Sequence, residues 1–175
     1  MSDPNAKANQ GVMLENDLWS FATRVYAAPE VAAACLAAQD DYSIDVNLLL
    51  YGAWLGKSGK RLDKTHFDEA ETRVAHWRQR SVQPLRRVRR YLKEVPGAEA
   101  LRQRVLELEL SAEQHQLGLL YAGAGKANGL SEAGNALAQN LRLVFSVTAG
   151  ESPVWESLFQ RLLAALSGVA ETETQ

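Results

Sequence analysis

The sequence predicts an all-α fold, and three observations carry that expectation. Ala and Leu number 26 and 25 against 13 Val and one Ile, and straight-chain residues favour helices where β-branched ones favour strands. Apolar positions recur at spacings of three and four along most of the 175 residues. No unit of about 20 to 50 residues repeats, which removes a solenoid. The expected architecture is a single domain over 15–169, an irregular bundle of about seven helices around a buried apolar central helix, with 1–14 and 170–175 as mobile tails.

The first helix opens at Asn16 or Asp17 as N-cap and carries Leu18, Phe21, Ala22 and Val25 on one stripe. Pro29, suited to a first helical turn, starts the alanine-rich second helix, which ends near Asp40 and Asp41. Cys35 lies in that run and packs in the core, since a lone cysteine has no internal disulfide partner. The third helix, about Ile44 to Leu55, leaves almost no polar face, and a helix apolar all round belongs at the centre of a bundle. Ser43 is expected to cap it with Asp45 in its first turn, and Gly56 or Gly59 to end it in a left-handed conformation.

A long helical stretch follows from about Thr65 to Val95, with Phe67, Ala70, Val74 and Trp77 on one seam and Leu85, Val88 and Leu92 beyond a kink or break at Pro84. Pro96 and Gly97 stop it. From Glu99 to Ala122, Leu101, Val105, Leu108, Ala112, His115, Leu119 and Ala122 form the seam of an antiparallel partner. Gly123 to Gly129 is the longest flexible connection. Leu137, Leu141, Val144 and Thr148 mark the next helix, and Pro153 opens the last, with Val154, Trp155, Leu158, Phe159, Leu162, Leu163 and Leu166 on one face.

A net charge of −2 and 23% charged residues exclude a disordered chain and a global basic field. No apolar run approaches the ~20 residues that cross a bilayer, so the protein is expected in the cytoplasm with no membrane partner. Gly52-Ala53-Trp54-Leu55-Gly56-Lys57-Ser58 has one residue too few for a phosphate-binding loop and follows a helix rather than a strand. His66, His76 and His115 are scattered and no Glu-x-x-His pair occurs, so no metal, cofactor or catalytic residue is assigned.

Charge patterning is the clearest functional signal. Arg73, Arg78, Arg80, Arg86, Arg87, Arg89, Arg90 and Lys93 follow one another with no acidic residue between, while Glu99, Glu107, Glu109 and Glu113 cluster on the next helix. The simplest account is internal, with the basic helix antiparallel to the acidic one and charges paired across their edges. The other is an anionic partner gripped by guanidinium groups.

The runs Leu18-Trp19-Ser20-Phe21, Asp45-Val46-Asn47-Leu48-Leu49-Leu50-Tyr51 with Trp54, and Pro84-Leu85-Arg86-Arg87-Val88-Arg89 carry a resemblance. Across roughly Leu14 to Leu166 the chain resembles a family of small uncharacterised proteobacterial proteins, domain of unknown function twenty-three-ninety. The resemblance implies a bacterial cytosolic protein and brings no catalytic residue, ligand or cofactor with it. It singles out Asp45, Asn47, Arg86 and Arg87, the motif residues that packing does not obviously need.

The expected function is non-enzymatic: an adaptor or regulatory protein docking an acidic protein partner through Arg80, Arg86, Arg87, Arg89, Arg90 and Lys93. The alternative is a small-molecule binder or enzyme with an internal pocket at Asp45, Asn47, Trp54 and His115. Nucleic acid on the same arginines is less favoured, because aromatics do not interleave them. Self-association would use Trp19, Tyr26 or Trp155.

Overall fold

A computed structural model of the protein describes residues 11–124, 134–150 and 153–169. Its α-helices are α1 (Asp17–Tyr26), α2 (Pro29–Tyr42), α3 (Val46–Lys57), α4 (Lys64–Trp77), α5 (Gln83–Leu92), α6 (Glu99–Ala124), α7 (Ala136–Ala149) and α8 (Glu156–Gly168). A π-helical turn, Arg78–Val82, joins α4 to α5 in one continuous rod, so seven rods pack together and no strand occurs among the described residues. The all-α expectation holds.

α3 is the centre. From Leu48 onward eight of its residues are buried: Leu48, Leu49, Leu50, Tyr51, Gly52, Ala53, Leu55 and Gly56. It lies against α1, α2, α6 and, most closely, α7. The close approach explains Gly52 and Gly56: a Cβ on Gly56 would stand 2.4 Å from the Cα of Leu137, and one on Gly52 would stand 3.4 Å from Cγ2 of Val144. These glycines let two backbones touch, which is why a phosphate-loop-like spacing occurs in a helix. Gly56→Ala is expected to cost about 1–3 kcal/mol by overpacking, since backbone atoms cannot step aside as a side chain would. Urea denaturation checks it, and an unchanged midpoint would place α7 further away. Gly59, at φ 72°, takes the left-handed conformation past the end of α3.

Asn140, which the sequence reading passed over, is fully buried in the same contact. Its Oδ1 accepts the Leu62 N–H at 2.7 Å, and its Nδ2 donates to the carbonyls of Gly52 at 3.0 Å and Lys60 at 2.9 Å. One amide thus bonds two backbone groups of the segment that follows α3 and one carbonyl inside the helix.

Two seams differ from expectation, for physical reasons. Pro84 has no N–H, and its ring would collide with the carbonyl four residues back. The chain widens before it instead of breaking: the Gln83 N–H donates to the Arg78 carbonyl, five residues away. The extra residue turns α5 by about 100° relative to α4. Val88, expected in the core, is therefore exposed while Val82 and Leu92 are buried. On α6, Leu101 and Leu108 are exposed, and the buried stripe runs through Val105, Glu109, Ala112, Gln116 and Leu120. Val154 is also exposed, whereas Trp155 is buried against Phe145 and Phe159.

Of the expected tail 1–14, residues 11–14 lie over α6, where Val12 sits so close that a Cβ on Gly118 would meet its Cγ1 at 2.3 Å. Residues 1–10 and 170–175 lie outside the described residues. So does the expected flexible connection, except Gly123 and Ala124, which finish α6.

Candidate functional site

The site grows from the turn between α2 and α3. Ser43 ends α2 in the left-handed region at φ 57°, donating its N–H to the Gln39 carbonyl, and Ile44 drops into the core. Asp45 then begins α3 as its N-cap, its Oδ1 accepting the N–H groups of Asn47 at 2.8 Å and Leu48 at 3.2 Å. This corrects the expected roles: Ser43 is spent stopping one helix, so Asp45 caps the next.

The other oxygen of Asp45 faces across the bundle. Oδ2 accepts from Nη1 of Arg78 at 2.9 Å and from Nε2 of Gln116 at 2.7 Å, so the carboxylate takes four hydrogen bonds. Arg78 also holds Glu71 on its own rod, with an Nη1 to Oε2 distance of 2.8 Å. Gln116 is 1% exposed, and with its Nε2 committed to Asp45 its Oε1 has no donor among the described residues.

α5 and α6 face each other antiparallel through a second cluster. Glu109, 4% exposed, accepts from Nε of Arg86 at 3.0 Å and from Nη2 of Arg89 at 3.2 Å, with a further contact to Arg89 Nε. Arg86 also donates from Nη2 to Glu113 at 2.7 Å. Burial works against the charged form of Glu109, yet the hydrogen bonds and charges of Arg89 and Arg86 hold it below the usual carboxylate range. Glu113 goes the other way: burial, helped by the Glu109 and Asp45 carboxylates, lifts it above that range despite Arg86. Two carboxyls one helical turn apart are thus tuned in opposite directions. Arg90 reaches Asp40 on α2 at 2.7 Å in an exposed pair.

Two clefts open beside these clusters. One, of about 610 Å³, is mostly apolar: Trp19 and Ala22 from α1, Leu36 from α2, Leu50 from α3 and Leu106 and Leu110 from α6 form its walls. The other, of about 700 Å³, is polar, and includes Asp40, Asp45, Arg78, Arg87, Arg90 and Gln116. Gln39, Val46, Asn47, Arg86 and Glu113 line both, so the two clefts adjoin along a shared, mostly polar edge. Asn47 is largely buried, yet its side-chain amide makes no hydrogen bond among the described residues.

Of the residues singled out from sequence, Asp45, Asn47, Arg86, Arg87 and Arg90 meet at the polar cleft, and Arg89 joins Asn47 and Arg86 at the apolar one. Arg80 and Lys93 line neither and are exposed. Trp54 packs instead between Tyr51 and Tyr121, and His115 stacks on Trp77 with ring centroids 4.1 Å apart, so neither belongs to the site. Glu109 and Glu113 were expected as ion-pair partners of the basic helix but not as site residues, and Gln39 and Gln116 were not anticipated. The signal for three of them was present: Glu109, Glu113 and Gln116 stand at i, i+4, i+7 on α6, one polar stripe facing a helix rich in arginine.

Among the described residues no group of three His, Cys, Asp or Glu is placed to hold a metal ion, and no helix is long and apolar enough to cross a membrane. No curated protein and no solved structure matches the chain. A family model does match, over residues 17–120, and that span contains every residue lining the two clefts. By that match the chain belongs to the family described as Protein of unknown function (DUF2390).

Proposed function

We propose that the protein binds a small organic molecule in the paired clefts. The observation that carries this reading is the shared edge: Asn47, Arg86 and Glu113 line an apolar cleft of about 610 Å³ and a polar cleft of about 700 Å³ at once. Ligand sites are mostly apolar concavities with a few placed polar groups, often carrying a carboxyl of shifted pKa, and the arrangement fits that description.

The test is a thermal-shift screen with small metabolites, repeated on Thr23→Trp, which places an indole at the exposed rim of the apolar cleft. One chemical class is expected to raise the melting temperature saturably, and the substitution to remove the shift. A flat screen, or a shift that survives Thr23→Trp, would overturn the reading.

A second reading rests on a different surface. Arg80, Arg87 and Lys93 make no ion pair among the described residues, and all three are exposed, as are Val88 and Tyr91 (69%) on α5. An acidic protein partner would find there the cations that the internal pairs leave over. Capture of a protein from lysate that is lost on reversing Arg80, Arg87 and Lys93 to Glu supports it; capture lost to nuclease instead points to nucleic acid.

A further inference from the structure

The proposed ligand site has a charge that names the kind of molecule it takes. Around the polar cleft stand four guanidinium groups, Arg78, Arg86, Arg87 and Arg90, and three carboxyls, Asp40, Asp45 and Glu113. Arg78 is held by Asp45 and Glu71, Arg86 by Glu109 and Glu113, and Arg90 by Asp40. Arg87 has no carboxylate partner among the described residues, so the cleft presents one guanidinium that stands outside any ion pair. The neighbouring cleft offers Trp19, Ala22, Leu50 and Leu110, surfaces that favour hydrocarbon. At the shared wall the Asn47 amide has donors and an acceptor to spare.

Resting on the proposed ligand-binding function, we infer that the ligand is an anionic amphiphile, a free aliphatic carboxylate whose head lies in the polar cleft against Arg87 and whose chain passes Asn47 into the apolar cleft. Charge complementarity selects the head, and the apolar walls select the chain. A cationic amphiphile would meet that guanidinium as a like charge. A neutral one would fill the apolar cleft and leave Arg87 as it is.

Isothermal titration below micelle-forming concentrations, at mildly alkaline pH, separates these cases with three probes sharing one chain: decanoate, decanol and decyltrimethylammonium. Decanoate is expected to bind about tenfold or more tighter than decanol, the factor a charge-assisted hydrogen bond supplies, with decyltrimethylammonium weakest. Arg87→Gln is expected to bring decanoate down to the affinity of decanol and to leave decanol unchanged. Lys93→Gln, which removes a nearby cation that lines neither cleft, is expected to keep the preference.

Equal affinities for decanoate and decanol would overturn the anionic head while leaving the cleft as a ligand site. Preference for decyltrimethylammonium, or a decanoate preference that survives Arg87→Gln, would overturn it as well. Failure of all three probes to titrate would remove the ligand-binding reading itself, and this inference with it.

Discussion

Glu109→Ala is expected to lower the unfolding free energy by about 3–5 kcal/mol, the range found when one member of a buried ion cluster is deleted. Glu109 is almost wholly buried, and its two guanidinium partners keep only about a fifth to a quarter of their side-chain surface in water, at 21% for Arg86 and 24% for Arg89. Without the carboxylate, Arg89 has no acidic partner among the described residues, and Arg86 retains Glu113 alone. Two desolvated cations then lie one turn apart on α5, facing α6 without the carboxylate between them. Urea denaturation measures the loss, and for a domain of this size it corresponds to a fall in Tm on the order of 10 °C. Glu109→Leu combined with Arg86→Met, Arg89→Leu and Glu113→Gln is expected to recover most of it, because no charge is then stranded. A loss below about 1 kcal/mol for Glu109→Ala would mean that water screens the cluster as it screens a surface pair.

That cluster also explains why the arginine-rich face read differently from sequence. Internal pairing and an external acidic partner both fitted the charge pattern, since a basic helix followed by an acidic one is compatible with either. The structure pairs Arg78, Arg86, Arg89 and Arg90 within the fold, and two of their partners, Asp40 and Asp45, come from the α2–α3 region rather than from the acidic helix. No periodicity in the basic segment could reveal partners some 30 to 50 residues upstream. Reversing Arg86, Arg87 and Arg90 together would therefore disturb folding as well as any docking, which is why Arg80, Arg87 and Lys93 make the cleaner probe.

What the sequence made legible was local. Helix class, the apolar α3, the Asn16 cap that accepts the Trp19 N–H at 2.8 Å and the left-handed Gly59 all follow from propensity and capping within a few residues. What it hid depends on phase and on distant packing. The π turn before Pro84 adds one residue, and that residue exchanges Val88 for Val82 in the core. Selecting apolar positions on α6 picked Leu101 and Leu108 and passed over Glu109 and Gln116, because a polar residue enters a seam only when a partner from another helix satisfies it. Asn140 and Gly56 are of the same kind: each is explained by α3 and α7 lying against each other, which neither segment announces alone. The site was half legible for this reason. Asp45 and Asn47 stood out at the head of α3, whereas Trp54 and His115 were nominated by type and packed elsewhere.

Asp45 separates stability from binding, and the two are expected to move in opposite directions. Asp45→Ala removes the cap of α3, worth about 1 kcal/mol, and takes an acceptor from the buried Gln116 amide and from Arg78, which keeps Glu71, for a total of about 2–4 kcal/mol. Asp45→Asn caps a helix nearly as well as Asp, so it is expected to fall between the native protein and the alanine variant in urea denaturation. Yet the asparagine also deletes one of the three carboxyls around the polar cleft while leaving all four guanidinium groups in place. The cleft becomes more positive, and a carboxylate amphiphile such as decanoate is expected to bind Asp45→Asn more tightly even though the fold is weaker. Decanol, which answers no charge, is expected to bind both alike. If decanoate affinity instead falls in step with stability, the head group does not lie beside Asp45, and the placement of the ligand across the two clefts is wrong.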